Sequence, residues 1–196
     1  MSSPIVLYLV RHGRTVLNAD GRLRGRLDPP LDDEGVAEAE ALGRTFARME
    51  VATIVSSPLA RARQTAEHIA AACGLRVDVD DRLADRDYKE WAGTRPDELG
   101  RRFGSVDAAP GVEPLDALSA RATAAVDAIA ALAARRKGRA AVLVAHDAVN
   151  RAILAALVPS LGTPARISQR TGCWNRLELD DGRWSAPVVD AVPARH

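Results

Sequence analysis

Two apolar runs of this chain end in histidine. Residues 5–10 read Ile-Val-Leu-Tyr-Leu-Val and lead into Arg11-His12-Gly13, and residues 141–145 read Ala-Val-Leu-Val-Ala and lead into His146. A histidine at the carboxyl end of a buried strand faces the crevice in which open α/β sheets hold their ligands. The other two of the four histidines have no such setting, His68 lying mid-helix and His196 at the terminus. A neutral imidazole, with an ordinary pKa of about 6.5, is a good nucleophile near neutral pH, and an adjacent guanidinium disfavours its protonated form. Arginine also grips phosphate bidentately and keeps its charge. Arg11-His12 is therefore suited to attack on a phosphoryl group; for the dipeptide alone, a structural histidine satisfied by backbone is the competing reading.

Arg61 adds weight to the first reading. It lies in Ser56-Ser57-Pro58-Leu59-Ala60-Arg61-Ala62, where serine at the N-cap and proline at the first helical position predict a helix start. That puts Arg61 in the first turn, beside an electropositive helix end that attracts anions. Arg63, nearly opposite on the helical wheel, reads as a solvated charge. His146 brings a further phosphate-directed group from another strand end.

The elements that must position these residues alternate between strand and helix. Asp32 has N-cap character, and Val36, Ala39, Leu42, Phe46 and Met49 recur at helical spacing. The β-prone run 53–56 precedes the Arg61 helix, whose stripe of Leu59, Ala62, Ala66, Ile69 and Cys73 ends at Gly74. Residues 76–80 alternate like an edge strand. Leu115, Leu118, Ala122, Val126, Ile129 and Ala133 predict a long helix before the His146 strand, and residues 147–157 predict another after it. Two further β-prone runs, 174–179 and 184–191, are joined by Asp180-Asp181-Gly182, a hairpin signal. This order predicts an α/β fold: a three-layer sandwich with a mostly parallel mixed sheet and an antiparallel edge. The turn-rich stretch 13–30 reads as a loop, and residues 81–114 as an irregular cap or lid over the sheet.

Length and composition set limits. The 196 residues fit a single domain spanning 1–196. A net charge of +1 makes neither nucleic acid nor an anionic membrane an expected partner. Lysine occurs only at Lys89 and Lys137, and the arginine and alanine usage reads as that of a GC-rich genome. Cys73 and Cys173 stand alone, which argues against a zinc site or disulfide framework and suits a reducing compartment. The first strand lacks the character of a signal peptide, and no apolar run is expected to approach membrane-spanning length. A soluble, cytoplasmic protein without metal or cofactor is the expectation.

The motifs resemble those of the histidine phosphatase superfamily, in its phosphoglycerate mutase-like branch. The similarity spans residues 7–157 and rests on Arg11-His12-Gly13-Arg14-Thr15 with Asn18, on residues 56–66 with Arg61, on residues 83–93, and on residues 142–146. The resemblance implies a phosphoglycerate mutase-like fold and a metal-free reaction in two steps. His12 attacks phosphorus and becomes phosphohistidine, Arg11, Arg61 and His146 hold the equatorial oxygens, and a carboxyl in the cap serves as acid and then base. The family pattern there is Leu-x-Glu followed by Gly-x-Trp-x-Gly; this chain has Leu83-Ala84-Asp85 and Lys89-Glu90-Trp91-Ala92-Gly93. Asp85 falls at the glutamate position and is assigned as acid/base, with Asp87 and Glu90 as alternatives. A surface pairing of Asp85 with Arg82 or Arg86 is the structural alternative. Asn18 resembles the family's phosphate-side asparagine. Arg24 stands where relatives carry a small or polar residue, which hints at an extra anionic group on the substrate; a solvated Arg22-Arg24-Arg26 loop is the alternative. Asp147, where glycine is frequent, reads as N-cap of the next helix and as a group that could raise the pKa of His146, favouring a cationic phosphate ligand.

The resulting expectation is a phosphomonoesterase acting on a small soluble phosphate ester. A phosphoglycerate mutase and a non-catalytic phospho-ligand binding module are the competing readings. Mutases of the superfamily resemble longer chains with extra segments near the pocket, which favours the phosphatase. The residues leave the identity of the ester and the oligomeric state open.

Overall fold

A computed structural model describes residues 4–136 and 140–194; Lys137 and His196 lie outside them. In chain order the elements are β1 (Ile5–Arg11), α1 (Val16–Ala19), α2 (Asp33–Phe46), β2 (Thr53–Ser56), α3 (Ala60–Cys73), β3 (Val77–Val79), α4 (Pro96–Phe103), α5 (Leu115–Ala134), β4 (Ala140–Ala145), α6 (Asp147–Leu157), β5 (Trp174–Asp180) and β6 (Arg183–Ala191). One six-stranded sheet runs β3-β2-β4-β1-β5-β6. The first four strands in that order are mutually parallel, and β5 and β6 add antiparallel. The predicted mixed sheet with an antiparallel edge is therefore what forms.

The central strands β1 and β4 are apolar on both faces because helices cover both. Leu7, Leu9, Ala141 and Leu143 pack with α5 and α6, whereas Tyr8, Val10, Val142 and Val144 pack with α2 and α3. Tyr8, Phe46 and Trp174 meet edge to face, with ring centroids 5.2–6.3 Å apart. The β5–β6 hairpin turns through Asp181 and Gly182, both at positive φ (44° and 74°), as a two-residue loop matched to strand twist requires.

Several sequence expectations need correction. Helix α3 begins at Ala60 with Leu59 as N-cap, not at Ser57-Pro58. Ser57 continues the strand pairing, donating its N–H to Val144 O at 2.9 Å, and Pro58 lies in the turn before the helix. Val36 of the α2 stripe is 36% exposed. Residues 81–114 are not wholly irregular: Pro96 opens α4, Asp97 and Glu98 sit in its first turn, Arg101 and Arg102 in its last, and Gly104 caps it. These are signals the dipole and capping rules recognise. Finally, the 20 residues of α5 are long and apolar enough to cross a membrane, with a mean hydropathy of 1.4. Here their apolar stripe, from Leu118 to Ala133, is buried in the core shared with β1, β4 and α6.

Candidate active site

The parallel pairing sets the site. Arg11 is in register with Ala145, and His12 donates its N–H to Ala145 O at 3.1 Å, so the two histidines leave adjacent strands side by side. Both rings are fully buried, with centroids 5.1 Å apart. The turn after His12 is tight because Gly13 abuts another glycine: a Cβ on Gly13 would lie 2.4 Å from Gly35 O. Gly13 N–H donates to Thr65 Oγ1 at 3.1 Å, tying the turn to α3.

The ring of His12 has a defined tautomer. Its Nδ1 lies 2.7 Å from Gly13 O, and because a carbonyl only accepts, Nδ1 carries the hydrogen and Nε2 the lone pair. Arg61 Nε donates to that Nε2 at 3.3 Å. Burial, followed by the charges of Arg61 and other neighbours, holds His12 well below the usual imidazole value. His146 is kept neutral in the same way, burial acting first and Arg61 next. This corrects the cationic ligand expected from Asp147. That residue is the first of α6 rather than its N-cap, which is His146 itself, and its carboxylate pairs with Arg151 at 2.6 Å. His146 Nε2 meets Ser57 Oγ at 2.7 Å. Its Nδ1 is buried without a hydrogen-bond partner, 3.9 Å from Asp85 Oδ2.

Arg61 is fully buried in the first turn of α3. Besides His12 it donates from Nη1 to Leu27 O at 2.7 Å, and from Nη2 to Gly25 O at 3.0 Å and to Asp85 Oδ2 at 2.9 Å. Asp85 is thus brought to the centre and is 1% exposed. Arg121 of α5 fixes the backbone there by donating to Ala84 O at 2.7 Å and Asp85 O at 3.2 Å. The alternatives lie elsewhere: Asp87 pairs with Lys89 at 2.7 Å, and Glu90 is exposed. Lys89, at the family's glycine position, has φ +50°, so the backbone keeps the left-handed turn that glycine makes easily.

Arg11 is 8% exposed and donates from Nη1 to Gln169 O, while its Nε has no partner. Gln169 belongs to a buried amide cluster in which its Nε2 donates to Asn175 Oδ1 at 2.7 Å and Asn150 Nδ2 donates to its Oε1 at 3.1 Å. Arg24 is half-buried, with Nε unpartnered, whereas Arg22 and Arg26 are exposed. The charge of Arg24 lowers the pKa of His12, His146, Arg11 and Arg61, so it faces the same centre. Asn18 is engaged locally, its Oδ1 accepting from Thr15 N at 3.1 Å and Thr15 Oγ1 at 2.8 Å in a capping box. Arg63 sits on the outer surface, 54% exposed. The sequence reading missed Ser57 as the partner of His146, Thr65 as anchor of the Gly13 turn, and the amide cluster behind Arg11. The one sequence signal for Ser57 is its place directly after a strand, which a helix cap shares; the amides carry no motif.

A profile of the histidine phosphatase superfamily (branch 1) matches residues 7–190. The chain belongs to this superfamily. The probable phosphoglycerate mutase GpmB of Citrobacter koseri is 33% identical over 195 residues, covering 92% of this chain and 88% of that one. Among solved structures, a mycobacterial glucosyl-3-phosphoglycerate phosphatase in complex with VO3 superposes with a TM-score of 0.84 at 30% identity, covering 95% of this chain and 98% of that one. A protein described as mycobacterial hydrolase 1 gives 0.85 at 29% identity, covering 95% and 99%. Phosphatases and mutases both stand among the relatives of this superfamily member, and membership makes an enzyme the supported class.

Proposed function

We propose that this histidine phosphatase is a metal-independent phosphomonoesterase that hydrolyses a small soluble phosphate ester through a phosphohistidine on His12. The observation that carries the reading is a set of unsatisfied polar atoms on the side chains that neighbour His12. Three of the six buried, unpartnered side-chain atoms among the described residues are Arg11 Nε, Arg24 Nε and His146 Nδ1. Arg61, His146, Arg11 and Arg24 are also the groups whose charge acts on His12, and a tetrahedral anion supplies acceptors for their N–H groups, His146 taking the Nδ1–H tautomer.

In the first step His12 Nε2 forms a bond to phosphorus as the ester P–O bond breaks. Arg11, Arg24, Arg61 and His146 take up the charge on the equatorial oxygens. A phosphoryl group that takes over the donors of Arg61 releases Asp85 from its ion pair; the freed carboxylate takes up a proton from solvent and passes it to the oxygen of the departing alcohol. In the second step Asp85 takes a proton from water as the water oxygen bonds to phosphorus and the P–N bond breaks, giving inorganic phosphate and neutral His12.

The test uses the purified chain with a phosphate ester and a rapid quench. The expected result is acid-labile, alkali-stable phosphate on His12 and steady release of inorganic phosphate, both lost in His12→Ala. The similarity to a probable phosphoglycerate mutase favours a second reading, transfer back to substrate rather than to water. Interconversion of 2- and 3-phosphoglycerate faster than phosphate release overturns the phosphatase; a protein that binds phosphate and is never labelled is a binding module.

A further inference from the structure

Beside the phosphate-directed side chains lies a cavity of about 520 Å³, between the cap and the start of α6. Its wall includes Arg86 and Asp147, each one residue beyond a member of the site, Asp85 and His146. Leu23, Tyr88, Val106 and Leu115 give it an apolar side, and Tyr88 and Leu23 are fixed there by the small core of the cap. The two cations on its wall are already matched. Arg86 pairs with Asp107 at 2.5 Å, and Arg151 pairs with Asp147 at 2.6 Å.

We infer that this cavity receives the alcohol half of the substrate, and that this half is a ring-bearing, uncharged group larger than a three-carbon acid. The inference rests on the phosphatase reading above for the position of the phosphoryl group and adds the class of ester. Size is the first argument. Even at the ~30 Å³ that a water molecule takes in the liquid, the seven heavy atoms of glycerate account for about 210 Å³, under half of this space. The volume falls in the range of about 300–1,000 Å³ that holds ligands of several rings or a long chain. Charge is the second. With Arg86 and Arg151 each already paired with a carboxylate, a second anion on the alcohol meets neutralised cations beside Asp107 and Asp147, whereas an apolar ring meets Leu23, Val106, Leu115 and Tyr88 without that repulsion.

The experiment compares alkyl esters of similar leaving-group basicity, so that chemistry does not mask fit: ethyl phosphate, 3-phenylpropyl phosphate and 3-phosphoglycerate. Expected is a kcat/KM for 3-phenylpropyl phosphate at least tenfold above ethyl phosphate and above 3-phosphoglycerate. Filling the cavity with Val106→Trp or, on a different element, Leu115→Trp is expected to reduce that ratio at least fivefold. A wild-type ratio near one, a preference for 3-phosphoglycerate, or a ratio unmoved by both variants overturns the inference. Binding of the non-hydrolysable 3-phenylpropylphosphonate and ethylphosphonate, measured by calorimetry, separates the two levels of argument. Tighter binding of the first without turnover of any ester sinks the phosphatase and keeps the cavity, and turnover with equal binding does the reverse.

Discussion

Replacing Asp85 by asparagine tests whether this carboxyl moves protons or merely balances Arg61. Asp85 accepts hydrogen bonds from Arg61 Nη2 and from the Arg86 N–H, each at 2.9 Å, while 1% exposed. Asparagine has the same shape but presents an NH₂ to one of those donors and removes the charge facing a buried guanidinium. A hydrogen bond to a charged group contributes about 1.5–3 kcal/mol, so Asp85→Asn is expected to cost about 2 kcal/mol of folding stability. That corresponds to a fall in Tm of about 4–8 °C for a chain of this length. Catalysis separates the roles. Loss of a general acid lowers kcat by about 10²–10⁴-fold where the leaving alkoxide needs a proton, and ethyl phosphate shows this loss in full. With 4-nitrophenyl phosphate the leaving phenolate departs unprotonated, and the loss in the phosphoryl-transfer step is expected to stay below about tenfold. Any disturbance of Arg61 affects both esters alike. An equal loss for both, or a leaving-group-dependent loss in Asp87→Asn instead, refutes the assignment of Asp85 as the acid.

His12 and His146 are held well below the ordinary imidazole value in the fold, burial being the main cause. The unfolded chain binds protons at these rings below about pH 6.5 and the folded chain does not, so stability is complete above that pH and declines below it. Two such rings are expected to lower the unfolding free energy by roughly 3 kcal/mol between pH 7.5 and 5.5, read from urea titrations; a flat profile contradicts the buried neutral pair. The carboxylates held low, such as Asp80 beside Arg82 and Glu113 beside Arg121, act only at more acid pH. Gly13→Ala places a Cβ 2.4 Å from Gly35 O, with backbone on both sides and nothing flexible to yield. It is expected to cost about 1–3 kcal/mol and, by shifting His12, about a hundredfold in kcat, checked by thermal melts and steady-state kinetics. Arg24→Ala removes a guanidinium whose Nε has no other partner. It is expected to reduce kcat/KM about 10- to 100-fold, the worth of one charge-assisted bond, with Tm nearly unchanged.

The site was legible where chemistry coincides with a strand end. His12, His146 and Arg11 follow apolar runs that only a buried parallel strand explains, and such strands deliver their carboxyl ends to one edge. Arg61 was found although its helix begins two residues later than serine and proline suggested, because the first turn still contains it. Ser57 was misread because serine serves equally as a helix cap and as a side-chain partner, and only the pairing of β2 with β4 decides between them. The electrostatics of His146 were also illegible. Asp147 is adjacent in sequence, but burial and four guanidiniums from remote segments outweigh it. The amide cluster of Asn150, Gln169 and Asn175 joins a helix, a loop and a strand with no spacing rule to betray it.

Under the proposed chemistry, Arg61 links binding to reactivity. Its Nε engages the lone pair that must attack, and its Nη2 engages the carboxylate that must carry a proton. Neither partner is free to react while Arg61 holds it. A phosphoryl dianion is a stronger acceptor than a neutral imidazole nitrogen, since charge-assisted bonds are roughly twice as strong as neutral ones. It therefore draws the guanidinium onto its own oxygens and frees both reacting groups in the same movement. Burial already lowers the pKa of Arg11 and Arg61, a measure of how poorly these cations are solvated where they stand. An anion that relieves this must bind the fold more tightly than the unfolded chain, so inorganic phosphate should raise Tm in proportion to RT ln(1 + [L]/Kd). That rise should shrink in Arg24→Ala, which keeps the Arg61 contacts but removes one donor to the anion.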